Sequence, residues 1–345
     1  MRHCSRILII TTIFTAAFVV TVQAQDLQEQ IQKLSRDAVI GYVSPFLNHF
    51  SADLNSGYYH SADLHKVLGF DIGVKVSLTF VKDGDKTFIY NLPETFTVRA
   101  NEIDPSYPSV PITFRRGVDY PETITLNTAL GSKESTPLMV SRNFKFGIGN
   151  GDSITIPVNK QIFSFPGGFD IPSVPLPVPQ VAIGLPLGFE VIGRYIPPTK
   201  IEDAGKLSYF GFGLRYDVDQ WIPLCPVDIA VHFTTQKLTF KSTSDKDIFT
   251  AKGVAYGLEA SKSILFVTLY GGFQLEKATA TLNDYDYLDP ATGNTVTVKG
   301  FDFTGDNKSR FNVGLRFSLF ILDINAEYSF AKVPVATLGA GISIR

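Results

Sequence analysis

Over much of its length the chain alternates apolar and polar residues one by one. From Phe311, the residues Val313, Leu315, Phe317, Leu319 and Ile321 fall on every second position, with Asn312, Gly314, Arg316 and Ser318 between them. Ile324, Ala326, Tyr328 and Phe330 then oppose Asn325, Glu327 and Ser329, and Ala336, Leu338, Ala340, Ile342 and Ile344 oppose Thr337, Gly339, Gly341 and Ser343. A period of two predicts strands with one apolar and one polar face. Runs of about 9–11 residues suit a tilted membrane crossing, and in hydrocarbon only a closed barrel pairs every strand hydrogen bond.

The alternation recurs at Phe70–Phe80, Val181–Phe189, Phe210–Val218, Ile229–Phe233 and Leu265–Phe273, with less regular strands around 86–99, 122–130, 138–146, 152–158, 249–262 and 296–303. Pro186 removes one ladder donor and marks a weak point in its strand. The expected fold is all-β, a transmembrane antiparallel β-barrel of roughly 12–14 strands with an N-terminal helix and plug-like segment.

Three segments are expected. Residues 1–24 carry Arg2 and Arg6, the apolar run Ile7 to Val22 and the ending Val22-Gln23-Ala24, the pattern of a cleaved secretory signal. In residues 25–68, Asp26 and Glu29 have the spacing of a helix cap, and Leu27, Ile31, Leu34 and Ala38 give an apolar face that is expected to stop at Ser44-Pro45. The polar, glycine-containing stretch from Leu54 to His60 then reads as a lumen plug. Residues 69–345 form the barrel. This organisation places the protein in the outer membrane of a bacterium, surrounded by outer-membrane lipid.

Composition narrows the function. Without the leader, 29 basic residues stand against 33 acidic ones, a formal charge of −4, so there is no basic footprint for nucleic acid. The remaining cysteine, Cys225, has no internal partner for a disulfide. An aromatic content of 12%, with 28 Phe, 14 Tyr and one Trp, suits lipid-facing strands.

Inward positions gather charges of both signs: Lys75, Glu190, Arg194, Arg215, Asp217, Asp228, His232, Arg316 and Glu327. Such charges are tenable in a membrane protein only where they meet water or one another. The set lines the lumen either as structural ion pairs or as a ring that selects a permeant. His49, His60 and His65, with Asp53 and Asp63, lack zinc-site spacing and are read as hydrogen-bonded plug residues, so no metal and no cofactor is expected. His232 and Asp228 share a strand face but lie about 13 Å apart along it, and no nucleophile elbow, phosphate loop or metalloprotease helix occurs, so no enzyme is expected.

The segment Phe163 to Pro179 interleaves prolines with apolar residues. Prolines should keep it out of any ladder, as an extended apolar loop in the lumen or on the membrane, where Phe163, Phe165, Phe169, Ile171, Val174 and Leu176 would bind a hydrophobic small molecule.

The runs Asn55-Ser56-Gly57-Tyr58-Tyr59-His60-Ser61-Ala62, Leu68-Gly69-Phe70-Asp71-Ile72-Gly73 and Phe210-Gly211-Phe212-Gly213-Leu214-Arg215, with Gln220-Trp221-Ile222-Pro223, resemble an uncharacterised family of Gram-negative outer-membrane proteins. That family is similar to the long-chain fatty-acid transporter barrels of FadL type. The resemblance implies a 14-stranded barrel, an N-terminal hatch inside it and passive diffusion of hydrophobic molecules. The expected function is therefore passive transport or binding of hydrophobic small molecules across the outer membrane. The alternative is a non-transporting scaffold, or a secretion or assembly partner, that docks a periplasmic or outer-membrane protein through its N-terminal helix.

Overall fold

The computed structural model describes residues 36–149, 151–201, 205–242, 245–288 and 295–344. The expected signal and the start of the expected helix lie outside these residues. Ten long antiparallel strands close into a barrel: β1 (Phe70–Phe80), β2 (Ser173–Leu185), β3 (Phe189–Ile201), β4 (Gly205–Asp217), β5 (Asp228–Lys241), β6 (Asp247–Ile264), β7 (Val267–Leu282), β8 (Ser309–Leu319), β9 (Leu322–Phe330) and β10 (Val335–Ile344). Each pairs with its sequence neighbour, and β1 closes the ring on β10 with Phe70 opposite Ile344. Burial follows the alternation: along β8, Phe311, Val313 and Leu315 are exposed while Arg310, Asn312 and Arg316 are buried. The wall thus presents apolar side chains outward and polar ones inward, as lipid on one side and a filled polar lumen on the other require. Among the described residues no helix is long and apolar enough to cross a membrane.

Ten strands close the ring, rather than the twelve to fourteen expected or the fourteen that the resemblance implies. The short strands between residues 86 and 165 pair with one another instead of joining the wall. Thr87–Asn91 pairs with Thr123–Asn127, Thr95–Arg99 with Pro111–Arg115, Thr136–Met139 with Gln161–Phe165, and Phe144–Gly149 with Asp152–Ile156. At four to six residues each they are too short to cross a bilayer, and together they build an insert between β1 and β2 that caps one mouth.

The proline-rich segment also departs from expectation, because Ser173 onward is barrel wall. Pro175, Pro177 and Pro179 of β2 lie opposite Leu78, Val76 and Val74 of β1. Alternate residues in a strand send their N–H groups to the same side, so three prolines at alternate positions leave one ladder intact and cancel the other. The cancelled one is the ladder to β3, which begins only at Gln180 opposite Arg194. Across that gap β3 carries Pro197 and Pro198, where its register to β4 shifts. The run from Val181 to Phe189 is not one strand either: it turns at Pro186–Gly188.

Helix α1 (Arg36–Leu54) does not stop at Ser44-Pro45 but runs through Pro45. The Ser44 hydroxyl donates to the Ile40 carbonyl at 2.5 Å, and Gly41, whose carbonyl loses its partner to the proline ring, has no side chain to crowd it. Val39, Tyr42, Leu47, Phe50 and Leu54 join one core with Leu92, Phe114, Leu126 and Leu130 of the insert and with Val174, Leu176, Leu207 and Leu238 on the inner ends of the strands. Each such side chain is worth about 1.5–3 kcal/mol of burial, enough to carry the helix past its proline. From the cap, the chain descends through the lumen to the opposite mouth, where β1 begins.

Candidate functional site

The lumen is filled by residues 53–66, and side chains of the wall clasp this plug at every level. Nearest the cap, Arg310 meets Glu276 at 2.8 Å, donates to the Ala52 carbonyl at 2.7 Å and reaches the Ser56 hydroxyl. Below it, Tyr58 donates to Gln236 and takes the Arg194 guanidinium over its ring at 3.6 Å. Tyr59 stacks against His232 with ring centres 5.3 Å apart. Lys75 donates to Asn325 at 2.6 Å and to His60 Nδ1 at 3.0 Å.

The lowest level is the most heavily charged. Arg215 sits between Glu190 at 2.5 Å and Glu259 at 2.6 Å and also donates to the Ser61 carbonyl. His65 Nδ1 lies 2.6 Å from Glu190 and its Nε2 lies 3.0 Å from the Ser343 hydroxyl. Ser343, His65 and Glu190 have the order of a serine hydrolase relay, but all three are buried between plug and wall and Glu190 is already neutralised by Arg215. Their chemistry here is to fasten the plug to β3 and to the last strand. Two glycines permit the close fit: Gly57 takes φ 69° against Thr337, and a Cβ at Gly184 would fall 2.1 Å from the His65 carbonyl oxygen.

Of the lumen residues expected from sequence, Lys75, Arg215, His232, Arg316 and Glu327 are buried inside the ring. Arg316 chelates Asp323 at 2.6 and 2.9 Å. Asp217 and Asp228 instead lie half-buried at the tight-turn rim, Asp228 accepting from Ser261 at 3.0 Å. His60, Asp71 and Asp323 bring three ligand atoms within 4.8 Å of one another. Lys75 and Arg316 already supply the positive charge there, so the trio is an ion-pair node and poorly suited to a cation. His49, from the same histidine group, lies outside the lumen and bonds Asp85 of the insert at 3.1 Å. Burial depresses its pKa below the ordinary 6.5, and Asp85 offsets that only in part.

The second feature is a cleft of about 690 Å³ in the cap. Tyr90, Phe96, Ile103, Tyr120, Leu138, Phe163 and Phe165 line it. Phe96 and Phe163 meet edge to face at 5.4 Å, as do Phe163 and Phe165 at 4.9 Å. Its charged lining is Glu102 and Lys160, and Lys160 is paired with Asp104 at 3.0 Å. Ser106, with a smaller contribution from Lys160, holds the Asp104 carboxyl down to about 2, so that pair is fully ionised at neutral pH.

The proposed ligand residues therefore divide. Phe163 and Phe165 line the cleft; Phe169 packs against the core beneath it, and Ile171, Val174 and Leu176 are buried in that core. Sequence reasoning misses Tyr90, Phe96 and Leu138, which fall in segments expected to be wall strands, and Tyr120, which lies between two of them.

The chain belongs to a family of unknown function (DUF6588) whose model matches residues 1–344. Among curated proteins none matches. Several solved structures are similar to it at low identity. The attachment invasion locus protein Ail of Yersinia pestis is 16% identical over 45% of this chain and 92% of its own, with a TM-score of 0.23. A loop-deleted form of OmpT, an outer membrane protein of Vibrio cholerae, is 10% identical over 80% of this chain and all of its own, with a TM-score of 0.25. The translocator domain of the autotransporter NalP from Neisseria meningitidis is 9% identical over 90% and 98%, with a TM-score of 0.26.

Proposed function

We propose that this protein is an outer-membrane barrel that binds an uncharged hydrophobic small molecule in the cleft of its cap, and that its lumen is held shut by its own N-terminal segment. The observation that carries this reading is the contrast between the two interiors: the lumen is filled by hydrogen-bonded, stacked and ion-paired side chains that clasp the plug, while the cap keeps about 690 Å³ lined by rings. Tight turns and the end of β10 share one mouth, and outer-membrane barrels keep short turns in the periplasm and long loops outside. On that rule the cap faces the exterior. The FadL-type resemblance contributes the internal hatch and the apolar ligand; capture, rather than flow through the ring, is the activity this geometry favours.

Titration of the purified protein with N-phenyl-1-naphthylamine, an uncharged dye that brightens in apolar surroundings, tests the reading. Phe96→Ala combined with Phe163→Ala should weaken binding at least tenfold, which corresponds to about 1.4 kcal/mol. A lumen variant, Glu327→Gln, should bind as the parent does. Unchanged binding in the double variant, with its fold intact by circular dichroism, would sink the proposal.

A further inference from the structure

The mouth opposite the cap is apolar to its tips. Every connection there carries a large hydrophobic residue at its apex: Leu68 at the entry to β1, Leu187 between β2 and β3, Leu224 between β4 and β5, Leu265 between β6 and β7, and Phe320 between β8 and β9. These five are 80–105% exposed. All five hold φ between 57° and 69°, a left-handed backbone that turns normally give to Gly, Asn or Asp. Polar residues would relieve both strain and exposure in water, so both choices point away from an aqueous surrounding.

Two further observations identify that surrounding. First, the tips adjoin other exposed apolar residues of the rim: Ile264 and Phe266 flank Leu265, Leu319 and Ile321 flank Phe320, and Trp221 and Ile222 precede Leu224. Second, side chains of the widest turn and of the adjoining strand take up its backbone groups. Asp219 accepts from the Ile229 amide at 2.7 Å, Gln220 donates to the Asp217 carbonyl at 2.7 Å, and Lys262 of β6 reaches the Pro226 carbonyl. Backbone groups need such internal partners where water is scarce.

We infer that this rim is immersed in the bilayer, its five tips seated among the acyl chains of the nearer leaflet rather than projecting into water. The occupant is lipid because the tips belong to separate connections distributed around the whole ring and run into the lipid-facing wall. A bilayer surrounds such a ring, whereas a protein partner would favour one sector. The inference rests on the membrane-barrel fold and is independent of the cleft.

Trp221, the one tryptophan of the chain, is a native reporter at this rim. A second reporter is Phe320→Trp in a Trp221→Phe background, with Leu224→Trp in the same background should the first fail to insert. In phosphatidylcholine vesicles with bromine along the acyl chains, each reporter should lose at least half its emission and stay poorly quenched by aqueous acrylamide. A tip reporter that acrylamide quenches freely and brominated chains do not would overturn the inference. So would shielding from acrylamide that appears only when a second protein is added.

Discussion

Arg310 and Glu276 form an ion pair 2.8 Å long with side chains 0% and 1% exposed, and the same guanidinium holds the last turn of α1 by the Ala52 carbonyl. The pair does two things at once: it neutralises charge in the lumen and it anchors the plug.

Replacing Arg310 by Met should therefore be severe. Glu276 would be left with Gln274 at 2.9 Å and no cation, a situation that costs about 3–5 kcal/mol in a buried site. Urea unfolding in detergent should show the lowered midpoint, and pairing the change with Glu276→Gln should recover a substantial part of it.

The contact at the other end of the plug predicts a different phenotype. His65→Ala removes the link between Glu190 and Ser343 but leaves Glu190 paired with Arg215. The barrel should keep its stability while the plug loosens, and planar-bilayer recording should convert a silent protein into one with brief openings. Continued silence would assign the closure to the upper contacts alone.

How much of this was legible beforehand depended on whether a residue's role is local. Period-two alternation is local, so Phe311 to Ile321 and Phe210 to Val218 could be read as wall strands, and the inward charges Arg215, Arg316 and Glu327 followed from the same count. Which strand pairs with which is not local. Thr95–Arg99 alternates like a wall strand, and only its pairing with Pro111–Arg115 sends it to the cap. The effect of proline is non-local in the same way: its cost depends on which side its missing N–H faces, and beside Pro177 that side has no ladder to lose. The partners of the plug, such as Glu190 for His65, are set by the closing of the ring and leave no trace in spacing.

Stability should fall in mild acid through His49. Its folded pKa lies below the ordinary 6.5, so the unfolded chain takes up the proton first as pH drops. The contribution is whole above about pH 6.5 and is lost as pH falls below it. Comparing unfolding midpoints at about pH 7.5 and about pH 5.5, the drop should be smaller in His49→Gln, which keeps a polar partner for Asp85 without titrating.

Gly184 gives a steric test. A Cβ there would lie 2.1 Å and 2.2 Å from the carbonyl oxygens of His65 and Lys66, so Gly184→Val must push the plug off β2. A loss of about 1–3 kcal/mol is expected, together with faster trypsin cleavage at Lys66. Resistance to trypsin equal to that of the parent would mean that the plug has another seat.

The path of the chain through its own ring constrains how the molecule is made. Residues 36–68 run from the cap to the far mouth before the first wall strand begins, and that strand finds its second neighbour only in β10, the last of the ten in chain order. For most of its assembly the sheet must remain open, with β1 waiting on one edge. The side route into the lumen ends when Phe70 meets Ile344, and a plug not yet seated by then has to thread through a mouth. A contact between residues 274 positions apart (344 − 70) in a chain of 345 is slow to form, which makes the unclosed sheet the long-lived intermediate and the state most in need of a chaperone.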